Sequence, residues 1–169
     1  MTHELAVLIQ AEAGAIADEL ASELRRSNAP HYLRLDERPL RHRCQQLVQA
    51  FLESCTGRPA AFEAHVRRIT EQRMSEGFYL DEMQQALTIL ERRAWQVAVE
   101  GSNVAQLVRH LSIVTGTIGR AKDELARTFF SGKQRADAAL ARLRVEGLFQ
   151  GTEGHVEAAE GELVARSGR

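Results

Sequence analysis

Residues 103–125, which read NVAQLVRHLSIVTGTIGRAKDEL, decide the fold class of this chain. Apolar side chains recur in this stretch at alternating spacings of three and four residues. This periodicity places them on one face of an α-helix. The members of this stripe are Val104, Leu107, Leu111, Val114, Ile118, Ala121 and Leu125. The stripe predicts a long amphipathic helix that begins at Asn103, with Gln106 in the position of a capping box.

Four further segments upstream carry the same helical periodicity, and prolines, glycines and polar residues mark the turns between them. The predicted helices lie at about 2–27, with Thr2 as N-cap, at 36–57, at 59–77 and at 80–100, and 28–35 is predicted to be a loop. No run alternates apolar and polar side chains as a half-buried β-strand does. The sequence therefore predicts an all-α fold, a single helical bundle of about five helices.

The last quarter of the chain differs in composition from the rest. After a predicted break at Ser131 and Gly132, a shorter helix is expected, and from Gln150 onward glycines sit among charged residues in the manner of a mobile tail. The predicted parts are a helical domain over 1–131, a helical extension over 132–149 and a flexible tail over 150–169.

Charge and hydropathy exclude several classes of protein. The 169 residues carry a formal net charge of -1, so no global positive field is available to hold a nucleic acid. A helix-turn-helix near residues 67–85 is disfavoured, because Asp81 and Glu82 would face the phosphates. Glu4 and Glu12 interrupt the apolar residues at the N-terminus, which excludes a signal peptide and a membrane span. We expect a cytoplasmic protein that binds neither nucleic acid nor membrane.

No pattern of catalytic or metal-binding residues stands out. The Glu-x-x-His pair of di-iron bundles is missing, and His42 and Cys44 diverge on a helix because they are two positions apart. His65 and His110 lie on different predicted helices; a structural role is favoured, and haem ligation by one of them is the open alternative. Nucleophile motifs and glycine-rich phosphate loops are missing too. We expect no enzymatic activity, no cofactor and no metal.

Other distinctive residues are interpreted first as structural. Cys44 and Cys55 share a helix face but lie roughly 16 Å apart along the axis, too far for a disulfide. They are expected to be small buried residues, with a redox or inter-subunit role as the alternative. Trp95 is interpreted as a core anchor rather than a ligand platform. The arginine-rich stretch 25–43 is interpreted as a solvated face, with an acidic partner or anionic ligand as the alternative.

Small residues form a low ridge on the long helix, although each glycine costs a helix about 1 kcal/mol relative to alanine. Ser112, Thr115, Gly116 and Gly119 make up this ridge, which suits tight packing within the fold first, then a subunit contact, then a small-molecule pocket. The heptad stripe poses a similar question, since it would either fill the core or pair with a second copy. The candidate interface residues are Leu107, Leu111, Val114, Gly116, Ile118, Gly119 and Leu125.

Two stretches resemble a known family: YLRLDERPLRHRCQQLVQAFLES at 32–54 and RMSEGFYLDEMQQALTILERRAW at 73–95. They look like the N-terminal sensory domain of RsbT co-antagonist proteins, the RsbRD N-terminal domain. The resemblance covers about residues 5–130 and rests on the order of helices, a Tyr-Leu-Arg entry, an Arg followed four residues later by Gly, and an aliphatic-acidic helix start. The candidate motif residues are Tyr32, Arg73, Gly77, Glu82 and Trp95.

The resemblance implies a fold similar to a non-haem, globin-like helical domain that dimerises and serves the stress response. In that family a helix leaves the sensor and enters a sulfate-transporter-anti-sigma-antagonist domain or a kinase. Nothing after Ser131 is long enough for such an output domain, so we expect a free-standing module. The implied partners are a second copy of the chain and a signalling protein such as a kinase or an anti-sigma regulator. A small-molecule or haem-binding globin-like sensor is the alternative function.

Overall fold

The computed structural model describes the backbone of residues 3–166 and the side chains of residues 4–144. Within this part the helices are α1 His3–Arg26, α2 Pro30–Leu33, α3 Glu37–Cys55, α4 Ala60–Ser75, α5 Leu80–Gly101 and α6 Val104–Arg166. The described backbone contains no strand, and the predicted all-α fold is confirmed. The predicted cap at Thr2 lies outside the described residues.

A one-turn helix, α2, occupies the middle of the segment 28–35, which the sequence analysis predicted to be a loop. Pro30 takes its first position, where the fixed φ of proline suits a helix and the missing N–H costs nothing. The N–H of Leu33 donates to the carbonyl of Ala29 at 3.1 Å. The loop prediction was wrong because proline starts a helix as readily as it marks a loop.

Helix α6 continues through Gly132, so the predicted break there was wrong. A glycine weakens a helix by about 1 kcal/mol, but it usually ends one by adopting a left-handed conformation. Among the described residues only Gly57 and Gly77 have a positive φ. The separate helix predicted to follow Gly132 is therefore part of α6. The flexibility expected for residues 150–169 stays a prediction, since their side chains lie outside the described part.

The chain divides into two compact units, Met1–Phe129 and Phe130–Arg169. In the first unit, α1 packs against α3 and α5, and α4 packs against α3. The rings of Phe51 and Phe62 meet edge to face, with their centroids 5.6 Å apart, and join α3 to α4. Other large, fully buried side chains of the same core are Leu5, Ile9, Leu20, Leu24, Leu40 and Leu90.

Both cysteines lie in this core, as the sequence analysis predicted. Cys44 and Cys55 are free thiols and are buried. Burial raises the pKa of each thiol to about 12. Both therefore stay protonated at neutral pH and act as small apolar residues.

Helix α6 contributes one of its faces to the core of the first unit. Val114, Ile118 and Leu125 on this face are buried. Their assignment to a dimer interface was wrong, because the chain's own core covers them and a second copy could not reach them. Leu107 and Leu111 are half-buried at the border of this face.

Two ion pairs fix α6 beside α4. The Arg120 Nε lies 2.8 Å from the Glu63 carboxylate, and the Arg67 Nε lies 2.5 Å from the Glu124 carboxylate. Both pairs join residues 57 positions apart in the sequence. The two helices therefore run side by side in the same direction.

The Glu124 pair should make stability depend on pH. The Arg67 guanidinium, which donates to the carboxylate, holds the pKa of Glu124 below its ordinary value of 4.5 although burial opposes this. The stabilisation is present above pH 4.5 and is lost as the pH falls through the lower pKa of the folded state. We expect Glu124→Gln to lower the free energy of unfolding most near neutral pH, and the difference from the original chain to narrow in acid.

Urea unfolding of both proteins across the acid range measures this difference. Asp123→Asn on the exposed side of the same helix turn is the matched control. A difference between Glu124→Gln and the original chain that stays constant with pH would contradict the assignment.

Candidate functional site

Four of the five candidate motif residues meet around α2. Tyr32 lies on α2, Arg73 in the last turn of α4, Gly77 in the following turn, and Glu82 in the first turn of α5. We call this group the α2 cluster and include in it the neighbours that complete its contacts: His31, Phe78 and Tyr79.

The buried guanidinium of Arg73 is held by aromatic side chains rather than by a carboxylate. Its Nη1 donates to the Tyr32 hydroxyl at 3.1 Å. Its central carbon lies 5.3 Å from the centroid of the Tyr32 ring and 5.4 Å from that of Phe78. Burial raises the pKa of Tyr32 although Arg73 opposes this, so the hydroxyl stays protonated. Cation–π contacts of this kind gain strength when they are removed from water.

The Glu82 carboxylate is also buried, and it accepts hydrogen bonds from two elements. It accepts from the backbone N–H of His31 at 2.8 Å and from that of Tyr79 at 2.9 Å. The Nδ1 of the His31 ring lies 2.7 Å from its second oxygen. One side chain thus closes the start of α5 in the manner of a capping box and ties α2 to it.

The turn at Gly77 places Arg73 and Phe78 against each other. The N–H of Phe78 donates to the carbonyl of Arg73 at 3.0 Å, and the N–H of Gly77 donates to that of Met74 at 3.1 Å. This pair of bonds is the Schellman motif, which requires a left-handed residue after the helix. Gly77 supplies it with a φ of 86°.

The chemistry of the α2 cluster is that of a structural clamp. Arg73, Tyr32 and Glu82 are buried. Arg73 donates to Tyr32 on α2, and Glu82 accepts from the backbone N–H of His31 on α2. Leaving a buried charged group without its partners is costly, so these contacts favour one arrangement of the chain. The cluster therefore sets the position of α2 between the end of α4 and the start of α5.

Three members of the cluster were missed in the sequence analysis. His31, Phe78 and Tyr79 stand next to motif residues in the quoted stretches or directly before them. These three residues could have been suspected only because they lie close to Tyr32 or Gly77 in the sequence. Closeness in the sequence does not show which neighbouring side chain faces inward.

Trp95 lies apart from this cluster and is 41% exposed, so its prediction as a core anchor was wrong. Ala94 takes the inward position on α5 and is fully buried. The next residue points about 100° further round the helix. Trp95 therefore lines a surface groove with Thr88, Gln96 and Val99.

The low ridge on α6 is not explained by tight packing within the described part of the chain. A Cβ built on Gly119 would meet nothing within 4 Å, and one built on Gly116 would meet only the Arg120 Nη1 at 3.6 Å. The first explanation offered by the sequence, close approach of another helix of the same chain, was wrong for these two glycines.

The remaining predicted features stay at the surface or are held by neighbours. Two arginines of the stretch 25–43 are paired, Arg41 with Asp18 and Arg43 with Glu76. Among the described residues no group of three or more His, Cys, Asp or Glu side chains is arranged to hold a metal ion. Across the described helices, no stretch combines the length and the apolar character that a membrane span requires.

The left-handed turn gives a test with an internal control. Gly77→Ala should lower the free energy of unfolding by about 1–2 kcal/mol, because a Cβ is strained in this conformation. Gly14→Ala, in the middle of α1 with open space around it, should instead raise it by about 0.5–1 kcal/mol. Urea unfolding of both variants measures the effects. Equal effects would show that Gly77 is not needed for the turn.

The Arg73 clamp gives a second test. Tyr32→Phe removes the acceptor of the Arg73 guanidinium and should cost about 1–3 kcal/mol of stability, because a buried donor loses its partner. Tyr79→Phe, on an exposed ring, is the matched control and should change little. The measurement is again chemical unfolding; a Tyr32→Phe variant as stable as the control would disprove the clamp.

Comparison with known proteins identifies the family of this chain. A family model described as the RsbT co-antagonist protein rsbRD N-terminal domain matches residues 14–148, well over half of the chain. No curated protein and no solved structure matches the chain. The matched range contains both stretches that carry the resemblance and the whole α2 cluster. This chain belongs to the RsbT co-antagonist rsbRD N-terminal domain family.

Proposed function

We propose that this chain is a non-catalytic regulatory domain of a stress-signalling pathway, which acts as a cytoplasmic homodimer and binds a protein partner. Family membership supports the regulatory role. The α2 cluster supports a non-catalytic role, because Arg73 and Glu82 are buried and each already bonds to α2. A kinase or an anti-sigma regulator is the kind of partner that the family resemblance suggests.

An exposed apolar face on α5 and α6 is the observation that carries the dimer. Val104 is 89% exposed and Val108 is 73% exposed in the first two turns of α6. Trp95 and Val99, one turn apart on α5, are exposed as well. Single exposed apolar residues are ordinary, but a group of large ones marks an interaction surface.

The register of α5 against α6 places these residues together. The Lys122 Nζ of α6 lies 2.7 Å from the Glu91 carboxylate of α5, which marks the sides on which the two helices meet. Trp95 follows Glu91 by four residues, and Gly119 precedes Lys122 by three, so each shares the face of its ion-pair residue. The bulky side chain on α5 thus stands beside the low ridge on α6.

A bulky residue beside a low ridge makes this face complementary to itself. In a two-fold dimer each copy contributes the same patch, so a protrusion on one copy must meet a depression on the other. Trp95 of one copy would cover Thr115 and Gly119 of the other. Tryptophan is the side chain most often found as the anchor of such contacts.

Light scattering coupled to size exclusion tests this proposal. The full chain should elute with twice its own mass of 18.9 kDa. Val108→Glu should shift it toward the monomer, raising the dissociation constant at least about tenfold, because a charge would be buried in the contact. Gly119→Leu adds a bulky side chain where Trp95 of the other copy would pack, and it should raise the dissociation constant as well.

Val7→Glu provides the matched control, since Val7 is an exposed valine on α1 that lines a groove with Gln49 and Leu52 of α3. It should leave the dimer intact. A chain that is monomeric at high concentration would refute the homodimer, and a dimer that tolerates both Val108→Glu and Gly119→Leu would refute this face as its interface.

A further inference from the structure

We propose that residues 133–144 of α6 bind as a helix in an acidic groove of the partner protein. The inference rests on the proposed function in one respect, namely that the domain has a protein partner. It adds which surface binds that partner and what chemistry the partner must offer.

This segment of α6 is exposed along its whole length. Every side chain from Lys133 to Arg144 faces solvent. Leu140 is 55% exposed and Leu143 is 64% exposed, so no described side chain covers the larger part of either. An exposed helix gains most of its stability when a partner covers its apolar side, and this side has no cover in the described part of the chain.

The apolar residues of the segment share one face. Ala136, Leu140 and Leu143 are spaced by four and three residues, so they fall within about 60° of one another around the helix axis. This is the spacing of the anchors with which amphipathic helices enter grooves of other proteins.

Cations lie on both sides of this apolar face. At about 100° per residue, Lys133 and Arg144 lie within about 40° of Leu140 on one side, and Arg135 and Arg142 lie about 80° and 100° beyond Leu143 on the other. Asp137 is the one acidic residue between them, so the segment has a charge of four minus one, or +3. None of the four cations forms an ion pair with a described side chain.

These charges decide between the possible occupants of the face. A second copy of the same segment would bring +3 against +3, and like charges in a contact weaken it. A membrane surface would gain little from two leucines without an aromatic residue, since interfacial helices carry a larger apolar face. An acidic groove with an apolar floor satisfies both the leucines and the arginines.

A labelled model helix tests the proposal with the full-length chain. The probe is a synthetic peptide with leucine at its heptad core positions and glutamate at the flanking positions, and its fluorescence anisotropy reports binding. The chain should bind it, and added salt should weaken binding because the flanking charges are exposed. Leu140→Ser with Leu143→Ser, and separately Arg135→Gln with Arg142→Gln, should each raise the dissociation constant at least about tenfold.

Gln134→Ser with Ala138→Ser, on the opposite side of the same turns, is the matched control and should leave binding unchanged. Circular dichroism of each variant checks that the helices persist. The proposal is overturned if the probe does not bind, if the control weakens binding as much as the leucine pair, or if only vesicles of anionic lipid bind. It is also overturned if the leucine pair makes the dimer dissociate, since a second copy would then be the occupant. The proposed function survives all of these outcomes but the last, which moves its dimer contact to residues 133–144 of α6.

Discussion

The buried carboxylate of Glu82 is the constraint on which the arrangement of the first unit depends. A carboxylate inside a protein needs hydrogen-bond donors around it, because removing it from water without them costs roughly several kcal/mol. Here the donors come from the backbone of His31 and of Tyr79, which belong to α2 and to the start of α5. Because one side chain needs both, the short helix cannot leave without stranding the charge. Because α2 is attached in this way, the Tyr32 side chain points inward, and its hydroxyl accepts the hydrogen bond from Arg73.

Much of the fold could be predicted from the sequence, because apolar periodicity depends on local spacing alone. The stripe containing Val114, Ile118 and Leu125 gave the buried face of α6, and Asn103 with Gln106 gave its start. The N–H of Gln106 indeed donates to the Asn103 side chain at 3.0 Å. The spacing of the apolar residues does not show whether a stripe packs against its own chain or against another chain. For this reason the same three residues were also placed, wrongly, at an interface.

The α2 cluster was only partly predictable, and the reason is sequence separation. The family resemblance pointed to Tyr32, Arg73, Gly77 and Glu82 one by one. The bond between Arg73 and Tyr32 spans 41 residues, and the bond from His31 to Glu82 spans 51. No local pattern encodes such a contact. The prediction for Trp95 was wrong for a related reason. Tryptophan is usually buried, and only the burial of its neighbour Ala94 shows which side of α5 faces the core. Once the core-facing side of α5 is known, the exposed Trp95 indicates an interaction surface on another side of the helix.

The state of the two thiols has a consequence for how the domain would react with oxidants. Peroxides and electrophiles attack the thiolate, and they need access to the sulfur. Cys44 and Cys55 offer neither in the folded chain, since each is enclosed and keeps its proton far above neutral pH. Oxidants would therefore reach these sulfurs only after the bundle opens. Direct cysteine oxidation is thus not a signal that the intact fold can read.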